Sequence, residues 1–264
     1  MSRPQRIRHF AAILVLAVGG APVAAQIDYR NLDVGRPVRV TDAHPVERFA
    51  FEFSLPYAAG RGLGAASHTV SPHLEYGIYR NLMVGVGVEV DLHRTGGSAG
   101  LAAAEIGALW NLRRETPSLP ALALSLEVAQ PLRDGRFGRD AAVTLTGLAT
   151  RSIGRSRLHL NGVIGLLVPE ASHLGTPWWA GLAWDRTLFR TSTLIVAEVV
   201  VNRDAGALPV NWSVGAGLRR QLTPTVVGAI GVAQALDALD AGTSLSLSLS
   251  HAFAIRSLMS RGVR

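Results

Sequence analysis

From Leu82 to Leu92 the chain reads Leu-Met-Val-Gly-Val-Gly-Val-Glu-Val-Asp-Leu. Leu82, Val84, Val86, Val88, Val90 and Leu92 share one face of an extended strand, and Met83, Gly85, Gly87, Glu89 and Asp91 share the other, because successive side chains of a strand point to opposite sides of its sheet. No helical period produces that separation. Large aliphatics on one side, opposite small or acidic residues, require an apolar surrounding on the aliphatic side. The pattern recurs near 47–58, 67–79, 82–93, 101–112, 119–131, 141–152, 157–168, 177–188, 192–203, 209–221, 226–236 and 243–253, twelve segments in all. Each is close to the length of about 9–11 residues that a tilted strand needs to cross a bilayer. The segment at 192–203 is apolar on both faces, so its phase is ambiguous.

The start of the chain supplies the compartment. Arg3, Arg6 and Arg8 precede an apolar run from Phe10 to Val18, and Val23-Ala24-Ala25 offers small residues for a signal peptidase. Residues 1–25 are expected to be an export signal, 26–45 a periplasmic lead-in, 46–253 a transmembrane barrel and 254–264 a C-terminal extension. No segment reaches the roughly 20 uncharged apolar residues of a membrane helix, so insertion must be by strands, and strands survive in lipid only as a closed barrel. The expected fold is therefore all-β, a closed antiparallel barrel of about twelve strands in the bacterial outer membrane.

Connection lengths give a second, independent signal. Arg80-Asn81, Arg113 to Ser118, Gly154 to Ser156, Phe189 to Thr191 and Leu222 to Thr225 alternate with longer stretches such as Arg94 to Gly100, Leu132 to Asp140 and Pro169 to Thr176. Short turns belong on the periplasmic side and longer loops outside. That assignment puts Trp110, Trp184 and Phe253 at periplasmic strand ends and Tyr57, Trp178 and Trp212 at external ends, the two aromatic belts of a membrane barrel. A secreted soluble sandwich would alternate too, but its polar face should be rich in charged residues and Thr. Here the minor face is Gly, Ala and Ser, charged residues are 17% and mean hydropathy is +0.25.

Formal charge is +7, and removing the three signal arginines leaves +4 without a basic stripe. Nucleic acid is not an expected partner on that pattern. All 26 basic residues are Arg, and the absence of Cys excludes disulfides and thiolate metal sites.

Three stretches resemble the outer-membrane family named after the meta-cleavage pathway of phenol degradation, described as transporter-like. Gly35-Arg36-Pro37-Val38-Arg39-Val40-Thr41-Asp42-Ala43-His44-Pro45-Val46-Glu47-Arg48 followed by Phe51-Glu52 is similar to that family's lead-in, Leu74-Glu75-Tyr76-Gly77-Ile78-Tyr79-Arg80-Asn81-Leu82 to its second strand and tight turn, and Gly217-Leu218-Arg219-Arg220-Gln221-Leu222-Thr223-Pro224 through Phe253 to its final hairpins. The resemblance implies passage of small, hydrophobic or aromatic, solutes across the outer membrane, and contact with lipid and with the barrel assembly machinery during biogenesis. Such barrels usually end at a terminal aromatic, whereas Ala254 to Arg264 follow Phe253 here.

Folding the hairpins symmetrically sets Glu52 near His73, His73 near Glu89, Glu89 opposite Glu105 and Glu105 beside Glu127, all away from the lipid face, with Arg219 on the same side of the tenth predicted strand. Turn length fixes such registers to within about two residues. Neighbouring carboxylates in a confined lumen cannot all ionise cheaply without a cation. Two readings stay open: a selectivity row in a narrow pore, or hydrogen-bonded polar filler in a non-conducting, structural or lipid-interacting barrel. Tyr79, His159 and Trp179 are further lumenal candidates, and Arg61, Arg94, Arg133, Arg136 and Arg139 fall in external loops where anionic lipid head groups could meet them. An enzyme is not expected. His251 lies next to Ser250, and adjacent strand residues point to opposite faces; no metal cluster, phosphate loop or nucleophile elbow is present, and no cofactor is implied.

Overall fold

The computed structural model describes residues 27–32, 37–62, 65–94, 99–133, 136–138, 141–167, 176–188, 192–203, 210–236, 242–255 and 258. The export signal, most of the C-terminal extension and the Arg139 region lie outside them, as do the side chains of Arg94, Arg133 and Arg136.

Fourteen β-elements follow one another: β1 (Ala50–Gly62), β2 (Ala65–Val70), β3 (His73–Tyr79), β4 (Leu82–Arg94), β5 (Gly100–Arg113), β6 (Ala121–Arg133), β7 (Arg136–Phe137), β8 (Ala142–Ile153), β9 (Ser156–Leu167), β10 (Trp178–Leu188), β11 (Thr193–Arg203), β12 (Asn211–Thr223), β13 (Val226–Ala235) and β14 (Thr243–Ala254). Every pairing between them is antiparallel, and β1 pairs with β14 from Ala50↔Ala254 to Arg61↔Thr243, which closes the sheet. β2 and β3 occupy one position in the wall, since both lie between β1 and β4. β7 extends only the end of β6. The wall is thus the twelve-stranded closed antiparallel barrel that the alternation predicts.

The second predicted strand, 67–79, is interrupted at Ser71-Pro72. Proline has no N–H to give a neighbouring strand. The ladder is bridged across the gap by Ser71 N donating to Pro56 O at 2.9 Å and Val88 N donating to Pro72 O at 3.1 Å.

Burial runs opposite to that of a water-soluble barrel. Val86 is 53% exposed and Ile106 58%, with Leu126, Leu160, Leu182, Leu218, Ile230 and Leu247 also exposed, while Arg157, His159, Asn161, Asp185, Arg219 and Ser250 are buried. Aliphatics outside and charges inside make sense only where the outer medium is lipid. Trp110 and Trp184 are exposed towards the short-turn end and Trp212 towards the other. Tyr57 joins the external belt, its hydroxyl 2.7 Å from His68 Nδ1. The ambiguous strand resolves as β11 with Leu194, Val196 and Val200 inward and Ala197 outward.

The lead-in takes a course that alternation could not show. Its described residues start at the rim that bears the short turns, where Ile27 N donates to Pro224 O at 3.1 Å, and from residue 37 they lie inside the barrel. Ile27, Leu32, Val38, Val40 and Val46 pack against Ala183, Leu194, Val196, Val200 and Val227 of the inner wall. Burial of these apolar side chains away from both water and lipid rim is the physical reason for this course. At Phe49, whose φ of 67° lies in the left-handed region, the chain turns out of the lumen into β1. That conformation costs a non-glycine residue on the order of 1–3 kcal/mol, and Phe49 N donating to Gly77 O at 2.7 Å helps to hold it. β1 accordingly starts at Ala50, three residues later than the alternation suggests.

Candidate functional site

The lumenal segment carries two prolines, Pro37 and Pro45, which have no N–H to give a neighbouring strand, and none of its residues is in a strand of the wall. Its backbone polar groups, buried at membrane depth, therefore need partners from the inner wall. They find them strand by strand. Ser246 Oγ of β14 donates to Pro37 O at 3.1 Å. Arg39 N and Val40 N both donate to Glu198 Oε2 of β11 at 2.9 Å. Thr41 N donates to Asn161 Oδ1 of β9 at 2.7 Å, and Asn161 Nδ2 returns a bond to Thr41 O at 3.0 Å. Ala43 N donates to Thr150 Oγ1 of β8 at 3.0 Å, and Ala43 O accepts from Asn111 Nδ2 of β5 at 2.7 Å.

Small residues make room for this path. A Cβ on Gly231 would meet the Pro37 carbonyl, one on Gly77 the Glu47 carbonyl, and one on Gly181 would sit 2.6 Å from Val40 Cγ2. Gly77, Gly181, Gly217 and Gly231 thus leave the space that the segment occupies.

One ionic cluster ties segment to wall. Arg157 of β9 donates to Asp185 of β10 from Nε at 3.0 Å and from Nη2 at 2.6 Å, and its Nη1 lies 3.4 Å from Asp42 Oδ2 on the segment. Arg157 Nη2 also meets the carbonyl of Arg30. His159 sits behind, Nε2 at 2.9 Å from Asp185 Oδ2 and Nδ1 at 3.1 Å from Thr150 Oγ1. The network is satisfied when Thr150 accepts from Ala43 N and gives its own hydrogen to His159 Nδ1, leaving Nε2–H to donate to Asp185. Burial alone would raise the Asp42 carboxyl, yet the neighbouring His44 and the Arg157 charge hold it well below the usual carboxylate range. His44 is held above its ordinary value by Asp42, whose Oδ1 lies 3.6 Å from Nδ1 and also accepts from the His44 backbone N–H at 2.9 Å.

The residues expected to form an acidic row divide into two groups. His73 Nε2 lies 3.7 Å from Glu105 Oε2, and both line a cavity of about 280 Å³ with Glu127. In register, His73 faces Gly87 and Glu105 also faces Gly87, while Glu127 faces Gly107 and Glu89 faces Ala103. Each carboxylate is therefore displaced by two residues from the symmetric pairing, and Glu89 stands near Glu105 electrostatically without lining the cavity. Glu52 pairs with Glu75, not His73, and its buried carboxylate reaches Arg219 Nη2 at 3.8 Å across β13 and β14.

Of the other lumenal candidates, His159 is fully buried in the ionic cluster, and Trp179 stacks against Arg39, whose guanidinium carbon is 4.5 Å from the ring centre. Tyr79 is exposed beside the Arg80-Asn81 turn. Ser250 is buried on the inner face while His251 turns outward to stack on Phe253. Sequence reasoning did not single out Asp42, Arg157, Asn161, Asp185 or Glu198. The signal was present in Arg157-Leu158-His159-Leu160-Asn161, where every inward residue is polar and so demands a lumenal partner. Among the described residues, no three His, Asp or Glu side chains are grouped to hold a metal ion.

Neither a family model nor a curated protein matches the chain. Solved structures do match. The COG4313 outer membrane channel from Pseudomonas putida F1 is 12% identical over 84% of this chain and 100% of its own, with a TM-score of 0.61. The KdgM porin, free and in a complex described as containing disordered oligogalacturonate, is 10% and 9% identical over 75% of this chain and 98% of its own, each with a TM-score of 0.53. Likeness at these identities is one of fold, and by its fold the chain is a bacterial outer-membrane β-barrel.

Proposed function

We propose that the barrel passes small solutes across the outer membrane, through a lumen narrowed by the segment from 37 to 49. The cavity between segment and wall carries this reading. At about 280 Å³ it has room for a small organic molecule, with Leu32, Val46, Met83, Leu109, Leu148 and Val163 on part of its surface and His73, Glu75, Glu105 and Glu127 on another. Apolar walls with a few converging polar groups suit small, hydrophobic or aromatic, solutes that carry no negative charge. The acidic side disfavours anions, since like charges in a confined site repel. An oligogalacturonate, the polyanion named with one KdgM structure, does not fit such a wall.

The Glu105, Glu127 and His73 group is the proposed selectivity element, as acidic rings are in cation-preferring pores. Replacing both carboxylates, Glu105→Gln with Glu127→Gln, should abolish any preference for cations, read as the reversal potential across a planar bilayer under a salt gradient. A reversal potential the same as wild type would remove the acidic group from selectivity. Liposome swelling with neutral aromatic and aliphatic solutes tests the passage itself.

Titration of the segment's own pair supplies a pH dependence. His44 is raised, so what it adds to the stability of the folded chain is complete below about pH 6.5 and fades as pH climbs through its higher folded value. Asp42 is lowered, so its share is complete above about pH 3.8 and is lost only as pH falls through its depressed value. Thermal stability of the refolded barrel should then decline as pH rises above about 6.5, and His44→Gln should flatten that decline; parallel profiles would dismiss the pair as the cause.

A second reading, a non-conducting structural or lipid-interacting barrel, is favoured by the apolar packing of Ile27, Leu32, Val40 and Val46 against the inner wall. Complete absence of swelling and of current from a folded sample would favour it over passage.

A further inference from the structure

Filling a lumen calls for apolar packing, and much of the segment provides it. Asp42 is different. It brings a carboxylate whose side chain is 2% exposed onto Arg157, itself 4% exposed. Removing two charges from water is costly, and an apolar pair of similar size would fill the space at least as stably. What a buried ion pair contributes is a single docked position, together with an undocked state in which both charges regain water. Asp185, braced by His159 Nε2 at 2.9 Å, holds the arginine from the wall side at 2.6 Å, through side chains that all belong to the wall.

The ladder of the wall does not include the segment. The strands are hydrogen-bonded to their neighbours all round the sheet, and the β1–β14 pairing closes it without any contribution from residues 37–43. Those residues are bonded to the barrel mainly by wall side chains: Ser246, Glu198, Asn161, Thr150 and Asn111. Each of these can turn to water once the segment leaves, so departure breaks no rung of the barrel.

We propose that residues 37–43 are a movable gate, latched by Asp42 on Arg157 with Asp185 and His159 positioning the arginine, and that solute passes when this stretch lifts from the inner wall. The proposal rests on passage through the lumen.

The chain has no cysteine, so a lock can be installed cleanly. An added Cβ at position 181 falls 2.6 Å from Val40 Cγ2, which places the two Cβ atoms near the separation of about 3.5–4.5 Å that a disulfide requires. The full-length mature protein carrying Val40→Cys and Gly181→Cys, refolded and measured in planar bilayers, should conduct at least about tenfold less when oxidised than after dithiothreitol, by the arithmetic of a closed gate. Asp42→Asn, which leaves the Arg157–Asp185 pair in the wall, should raise the open fraction several-fold and confirms the latch without a crosslink. Equal current from the oxidised and reduced forms would overturn the gate while leaving the lumen as the path. Silence from wild type, the reduced pair and Asp42→Asn alike would instead remove the path, and the gate with it.

Discussion

Replacing Gly231 with valine should raise the conductance of the refolded barrel several-fold while its wall stays folded. The backbone atoms nearest to a Cβ at Gly231 belong to Pro37, and the nearby Ser246 hydroxyl can rotate aside. Gly231 lies in register between Gly217 of β12 and Ser246 of β14, valine keeps the same backbone N–H and C=O for the ladder, and a β-branched residue suits a strand better than glycine does. The segment, not the wall, must therefore yield. Its loss at this point gives up the bond from Ser246 to Pro37, worth about 0.5–1.5 kcal/mol, and the packing around it. Gly162→Val is the matched control, because a Cβ there meets nothing within 4 Å. If Gly231→Val folds and conducts like the control, the segment is not what restricts the lumen.

Charge on the outer face should have an effect of the opposite kind. Ile106 and Leu126 are 58% and 46% exposed on the wall between β5 and β6. An arginine near the bilayer midplane costs a membrane barrel about 2–4 kcal/mol, so Ile106→Arg with Leu126→Arg should remove most of the stability of a domain worth about 5–15 kcal/mol. The expected result is a failure to fold into lipid vesicles, read by the gel mobility shift of unheated sample, whereas Ser125→Arg on the inner face should be far milder. Insertion at the wild-type level by the double variant would mean that acyl chains do not bathe this face.

The wall was legible because a strand between two different media writes its surroundings into every second residue. Leu82 to Leu92, Phe49 to Tyr57 and Ser244 to Phe253 each carry the code, and turn residues between them set the count. Two local departures have plain causes: Pro72 cannot donate, so one strand splits, and Phe49 adopts a left-handed turn, so β1 starts late. The inner site was less legible. Register in a hairpin is fixed by the turn only loosely, and the irregularity at Gly77/Tyr79 adds a further step that sets His73 opposite Gly87, the residue Glu105 also faces. That is why His73 meets Glu105 and not Glu89. The lumenal segment was hidden for another reason. Its partners are far away in sequence: Glu198 lies 159 positions beyond Arg39 and Ser246 lies 209 beyond Pro37, and periodicity carries no information about contacts at that range.

Those long separations also set an order of events. A stretch that bonds in turn to β14, β11, β9 and β8 has nowhere to settle until the later hairpins exist, and ordering it earlier would carry the loop-closure penalty without the contacts that offset it. Seating of the segment is therefore a late event in the history of each molecule, completed with or after the hairpins that receive it.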